Sequence, residues 1–178
     1  PVSKLFTSVQ VVAFEPSSIN SKFLKKHIEI NRLTNVRQLN YLVGDRSKEV
    51  EFYEDLYNVN PMGSTVSSLY DSNAFSKTKK RMICLDNFAE QTGPPPTIIK
   101  IDVEGAEFDV LRGAQRILKK YSPILVVSLH PRILKSLKIE PAEVVRFIES
   151  FGYTCFEDDG CTPYQFSTNE VICEKIDA

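Results

Sequence analysis

Short apolar runs that each stop abruptly at a turn constrain this chain more than any other feature of it. Val9–Phe14 (VQVVAF), Ile98–Ile101 (IIKI) and Ile124–Leu129 (ILVVSL) are rich in β-branched residues and do not alternate with polar ones. Runs of this kind are strands covered on both faces. Each is followed by a helical pattern. After Glu15-Pro16, the good N-cap residues Ser17 and Ser18 precede Phe23/Leu24, His27/Ile28 and Asn31 at helical spacing. From about Gly105, the stripe Leu111, Ala114, Leu118, Tyr121 leads to Lys119-Lys120, cations that suit a helix C-terminus, and Pro123 stops it. Pro141 fits the first turn of another helix, with Val144, Ile148 and Phe151 inward and Gly152 as its C′ residue.

Between these landmarks, NVRQLNYLVGD from Asn35 reads as one strand closing at Gly44-Asp45, which completes a parallel βαβ unit. EVEFYED at 49–55 alternates and predicts a half-exposed strand. Residues 56–80, polar and with one strand-like patch at STVSSLY, read as a long loop of the kind that serves as a lid. RMICLDNF predicts a short strand entering a helical turn, and GPPPT an extended approach to the next strand. YTCFED and NEVICEKI predict two consecutive strands paired antiparallel. The expectation is α/β: one domain over 1–178, a mostly parallel sheet flanked by helices, and an antiparallel last strand.

Charge and cysteine usage exclude several functions. With 22 Lys+Arg against 23 Asp+Glu, little attracts nucleic acid or an anionic membrane, and Lys77–Arg81 reads as a solvated loop. No apolar stretch approaches the ~18 residues of a membrane span, and no signal peptide is visible at the start. Cys84, Cys155, Cys161 and Cys173 show no CxxC spacing and no companion His pair, so zinc is not expected. Free buried thiols in a reducing, cytoplasmic compartment are expected over a disulfide. The chain opens on Pro1 rather than Met, which leaves room for an upstream segment.

Polar groups gather where the strands end: Glu15, Asp45, Asp102 with Glu104, and His130. In open parallel sheets the strand ends share one edge, where ligands bind, so these residues are expected to converge. Glu15 suits either the vicinal hydroxyls of a ribose or orientation of the helix start. Glu104 near an N-cap with Glu107 at about N3 is a loose capping box; capping does not account for Asp102, which is expected to face a ligand. Gly105 fits a tight turn. His130, on the neighbouring strand, could join the acids as a base with orienting carboxylates or as a metal site. Too few oxygen ligands are visible for a hard cation, so no metal is expected.

VVAFEPS, the NVRQLNYLVGD strand, ICLDNF and above all IIKIDVEGAEFDVLRGAQRIL, with HP after the next strand, resemble the FkbM-type methyltransferases, a branch of the class I S-adenosylmethionine-dependent enzymes. The resemblance covers roughly residues 9–156. It implies a Rossmann-like, seven-stranded sheet with a terminal antiparallel strand. It also implies S-adenosyl-L-methionine as cofactor, with Glu15 of Phe14-Glu15-Pro16 holding its ribose, Leu42 and Val43 with nearby Asp45 beside adenine, and Asp102 near the methionine part or the acceptor. Asp102, Glu104 and His130 become the catalytic set, acting on a hydroxyl of a small molecule or sugar. Two departures stand out. The strand and D-x-G-x-N-x-G loop that precede FEP in such enzymes are not in this sequence, so the strands starting at Val9 and Ile98 are expected to face a gap, as in a piece of a longer protein. Ser128 also stands where the family often has an acid two residues before the histidine. The alternatives are a nucleotide-sugar transferase using IDVEG as an acid-x-acid cation site, and a non-catalytic or truncated relative.

Overall fold

The structure is a computed structural model that describes residues 8–55, 63–64 and 75–176. They divide into two compact units, one of 8–42 with 47–55, 63–64 and 75–82 and the other of 43–46 with 83–176.

The first unit begins with strand β1 (Val11–Phe14), helix α1 (Ser18–Ile30) and strand β2 (Val36–Leu39). The two strands pair in parallel with Val11 opposite Val36 and Phe14 opposite Leu39, as the strand–helix–strand reading requires. Ser17 caps the helix: its hydroxyl accepts from Asn20 N at 3.3 Å. The inward face of α1 is not the apolar one expected. Phe23 is 60% exposed, and the buried residue is Ser21, whose hydroxyl accepts from Gln38 Nε2 at 2.7 Å and donates to Asn40 Oδ1 at 2.9 Å. A polar network thus ties helix to strand.

The long strand expected from Asn35 breaks into β2 and a two-residue β3 (Leu42–Val43). Strands β4 (Lys48–Asp55), β5 (Gly63–Ser64) and β6 (Phe75–Ile83) follow, in the sheet order β3-β6-β4-β5. β4 pairs antiparallel with β6, Lys48 opposite Met82. The expected loop over 56–80 is therefore strand from Phe75 onward; 56–62 and 65–74, with most of its strand-like patch, lie outside the described residues. Lys77 is a rung of this ladder, bridged to Glu51 at 2.6 Å, so the basic cluster is strand surface.

The second unit carries α2 (Leu85–Thr92), β7 (Ile98–Ile101), α3 (Glu107–Arg112), α4 (Gln115–Tyr121), β8 (Ile124–Ser128), α5 (Pro131–Ser136), α6 (Pro141–Glu149), β9 (Thr154–Phe156) and β10 (Glu170–Glu174). Its sheet runs β7-β8-β10-β9. β7 and β8 are parallel, Ile98 opposite Ile124, while β10 is antiparallel to both β8 and β9 as the two C-terminal runs predicted. Among the described residues β1–β2 and β7–β8 pair in parallel and β4 pairs antiparallel with β5 and β6, where a mostly parallel sheet was expected. The alternating and charged strands β4 and β6 form a two-faced antiparallel sheet instead. Among the described residues, β1 has a ladder partner only in β2 and β7 only in β8.

Leu111, Leu118, Leu125, Val127, Leu129, Leu134, Val144 and Ile148 form the core of this unit, each 1% exposed or less. The single helix expected from Gly105 is two, broken at Gly113. A Cβ there would run into the Gly44 carbonyl oxygen, so the break is where the backbone of 44–45 packs. The new helix start at α4 has no cap of its own. Buried Asp86 supplies one from α2, accepting from Arg116 N at 3.0 Å and Ile117 N at 2.9 Å. Tyr121, expected in the buried stripe, is 42% exposed.

Candidate functional site

Two parallel neighbours, β7 and β8, end on the same edge, and each delivers a polar segment there. After Ile101 the chain passes through Asp102 and Val103 into a turn with φ 51° at Glu104 and 101° at Gly105. Left-handed backbone suits glycine and is unusual for glutamate, so the turn is held by its surroundings. A Cβ on Gly105 would overlap the Ile133 side chain, a second reason for glycine beyond its torsion. After Ser128, Leu129 leads to His130, the residue before α5, whose Pro131 fills the first helical turn.

These segments meet at an imidazole. His130 Nδ1 lies 2.6 Å from Glu107 Oε1, and its Nε2 lies 3.7 Å from Asp102 Oδ1 and 3.8 Å from Glu104 Oε1. The same Glu107 oxygen accepts from Gly105 N at 3.0 Å, while its Oε2, also buried, has no hydrogen-bond partner among the described residues. In a neutral ring, a proton on Nδ1 would serve the Glu107 carboxylate and leave the Nε2 lone pair on the side of Asp102 and Glu104. Glu107 is fully buried, whereas the Asp102 and Glu104 side chains are half exposed. The arrangement is a histidine held from behind by a buried acid, with its Nε2 turned toward a rim of exposed ones.

Asp102, Glu104 and His130 are thus brought together as expected, and Glu107 is the member that sequence reasoning assigned elsewhere. The expected capping box does not form. Ala106 is the N-cap and Glu107 the first helical residue, so its side chain reaches back to Gly105 and across to His130. Ser128 has an acid beside it from another strand. Glu170, its cross-strand partner on β10, places Oε1 3.4 Å from the Ser128 hydroxyl and 3.4 Å from Lys100 Nζ. Lys100 lies 3.7 Å from Asp102 Oδ2 as well. Among the described residues, no group of three or more His, Cys, Asp or Glu is arranged to hold a metal ion.

The first unit carries Phe14, Glu15 and Pro16 at the end of β1. Glu15 Oε1 accepts from Ser17 N at 2.7 Å, which aligns the carboxylate with the helix start. Burial pushes its pKa up, the Ser17 N–H pulls it back, and the negative Glu54 adds to the rise. One oxygen of this half-buried carboxylate is thus tethered to the helix start. Glu54, 1% exposed on β4, holds the next residue: it accepts from Ser18 N at 2.7 Å and pairs with Lys80 Nζ at 3.2 Å. Burial alone would raise the Glu54 carboxyl, but the Ser18 N–H and the Lys80 ammonium outweigh it and bring it below the ordinary range. Leu42 and Val43 form β3, half-buried, and Asp45 pairs with Arg46 at 2.8 Å.

The Methyltransferase FkbM domain family matches residues 3–155. The crystal structure of a methyltransferase FkbM from Methylobacillus flagellatus KT is similar with a TM-score of 0.59 at 18% identity, over 93% of this chain and 36% of that one. This chain therefore spans about a third of the length of the protein it matches, and at that identity the likeness is one of fold. No curated protein matches it.

Proposed function

Since the chain belongs to the FkbM methyltransferase family, we propose that it transfers a methyl group from S-adenosyl-L-methionine to a hydroxyl oxygen of a small molecule or sugar. The observation that carries this reading is the His130 imidazole, oriented by Glu107 at 2.6 Å with its Nε2 facing the strand edge. When bound, S-adenosylmethionine supplies a methyl carbon on a positively charged sulfur. An alcohol attacking that carbon must lose its proton, and a placed base accelerates such steps by about 10²–10⁴-fold.

In this reading Glu15 accepts from the ribose hydroxyls, with Phe14 and Pro16 shaping the turn around it, and Leu42, Val43 and Asp45 flank the adenine. His130 Nε2 takes the acceptor's proton. Glu107 keeps the ring in the required tautomer and stabilises the imidazolium that results. Asp102 and Glu104 orient the hydroxyl, and most of the remaining acceleration comes from alignment of oxygen, carbon and sulfur.

The test is transfer of a labelled methyl group to a panel of sugars and small alcohols by the protein carrying this domain. Label is expected in an ether product, and loss of activity is expected when His130→Gln and Glu104→Gln are combined. Turnover unchanged in the double variant would remove the base from the scheme. Manganese-dependent binding of a nucleotide sugar, with none of S-adenosylmethionine, would replace the reaction class altogether.

A further inference from the structure

Two of the cysteines meet across a ladder. Cys155 on β9 and Cys173 on β10 are Cα partners in the antiparallel pair, so their side chains leave the same face of the sheet. Both are buried, and their sulfurs lie 2.7 Å apart. Directly opposed residues in such a ladder have Cα atoms about 4.5–5.5 Å apart, inside the ~4.4–6.8 Å span that a disulfide tolerates. The other two thiols have different surroundings: Cys84 donates to the Gly113 carbonyl at 3.1 Å, and Cys161 lies exposed in the loop between β9 and β10.

We propose that Cys155 and Cys173 are a modification site, a dithiol that hydrogen peroxide converts to a cross-strand disulfide. Cys155 reacts first: it lies on β9, the last strand in the sheet order, and is 6% exposed against 0% for Cys173. Its sulfur attacks one peroxide oxygen, the O–O bond breaks, and the thiol proton leaves in a molecule of water, giving a sulfenic acid. The Cys173 sulfur then displaces the sulfenic oxygen, which departs as a second water with the Cys173 proton. Two thiols have lost two electrons, and one peroxide has become two waters. Contact with Cys155 and burial push the Cys173 thiol well up, which disfavours it as the first nucleophile.

The bond would close the loop between β9 and β10. Leu129 N donates to the Asn169 carbonyl of that loop at 2.6 Å, and Leu129 directly precedes His130. Oxidation would therefore pin the segment that borders the histidine. The inference stands whether or not the methyl-transfer reading holds.

The full chain would be treated with hydrogen peroxide, or with a reductant as control, then unfolded in N-ethylmaleimide, weighed intact and digested. The reduced protein is expected to take up label on all four cysteines and the oxidised protein on two, with a linked peptide joining Cys155 to Cys173. The oxidised form is expected to melt about 6–12 °C higher, an increment absent in Cys155→Ser. Four labelled cysteines after peroxide, or a linked peptide that uses Cys84 or Cys161 instead, would overturn the proposal.

Discussion

The pairing of Glu107 with His130 can be weighed by a double-mutant cycle. Glu107→Leu keeps the side chain's approximate bulk in a fully buried place but removes the acceptor of both His130 Nδ1 and Gly105 N. His130→Phe removes the donor and keeps a ring. Taken singly, Glu107→Leu leaves the Gly105 N–H and the imidazole N–H without partners, each costing about 1–3 kcal/mol. The Gly105 loss recurs in the double variant and cancels, as does the loss of His130 to Asp102 and Glu104. What remains is the 2.6 Å contact itself. A hydrogen bond to a charged group contributes roughly 1.5–3 kcal/mol, so a coupling energy in that range is expected. Urea unfolding of the parent, both single variants and the double variant at pH 7, with equal m values, reads it directly. A coupling below about 0.5 kcal/mol, the ordinary scatter of additivity, would mean that Glu107 does not hold the ring and that its burial has another cause.

Two further perturbations follow from the packing. At Gly113 the φ of −81° suits any residue, so Gly113→Ala would ordinarily stabilise by about 0.4–1 kcal/mol; the Gly44 carbonyl in the way reverses the sign, and a loss of about 1–3 kcal/mol is expected in thermal melts, with a variant as stable as the parent contradicting the close approach. Glu157 concerns pH. Burial raises its carboxyl, but bonds from Gln165 N, Thr168 Oγ1 and Ser167 N prevail and take its pKa from 4.5 to about 2. Its contribution is therefore complete above about pH 4.5 and lost as pH falls toward 2. Melting temperatures across that window should fall more steeply for the parent than for Glu157→Gln, and parallel curves would exclude the effect.

The elements most readable in the sequence were those whose local chemistry and tertiary role agree. Ser17 caps α1, Pro141 opens α6, and the two C-terminal runs pair antiparallel, each through bonds made by near neighbours or a regular ladder. Readings failed where distant backbone or side chains decided the outcome. The break at Gly113 depends on Gly44, and the start of α4 on Asp86, neither close in sequence. β6 carries KTKKR, which reads as solvated loop until eight residues of β4 supply its partner. At the site, adjacency of strand ends correctly joined Asp102, Glu104 and His130, because that follows from β7 and β8 being parallel. Glu107 was assigned to its own helix because sequence spacing favours nearby N–H groups. Only the left-handed turn at Glu104 and Gly105 shows that its carboxylate can swing back beneath the imidazole.

The antiparallel course of β10 has a corollary for mutation. The family model matches as far as residue 155, and the chain beyond that point comes back to the level of Leu129 and Ser128. Substitutions at Asn169 and Glu170 would therefore act beside the residues that lead into His130 while leaving intact the two strands that carry it and its acids.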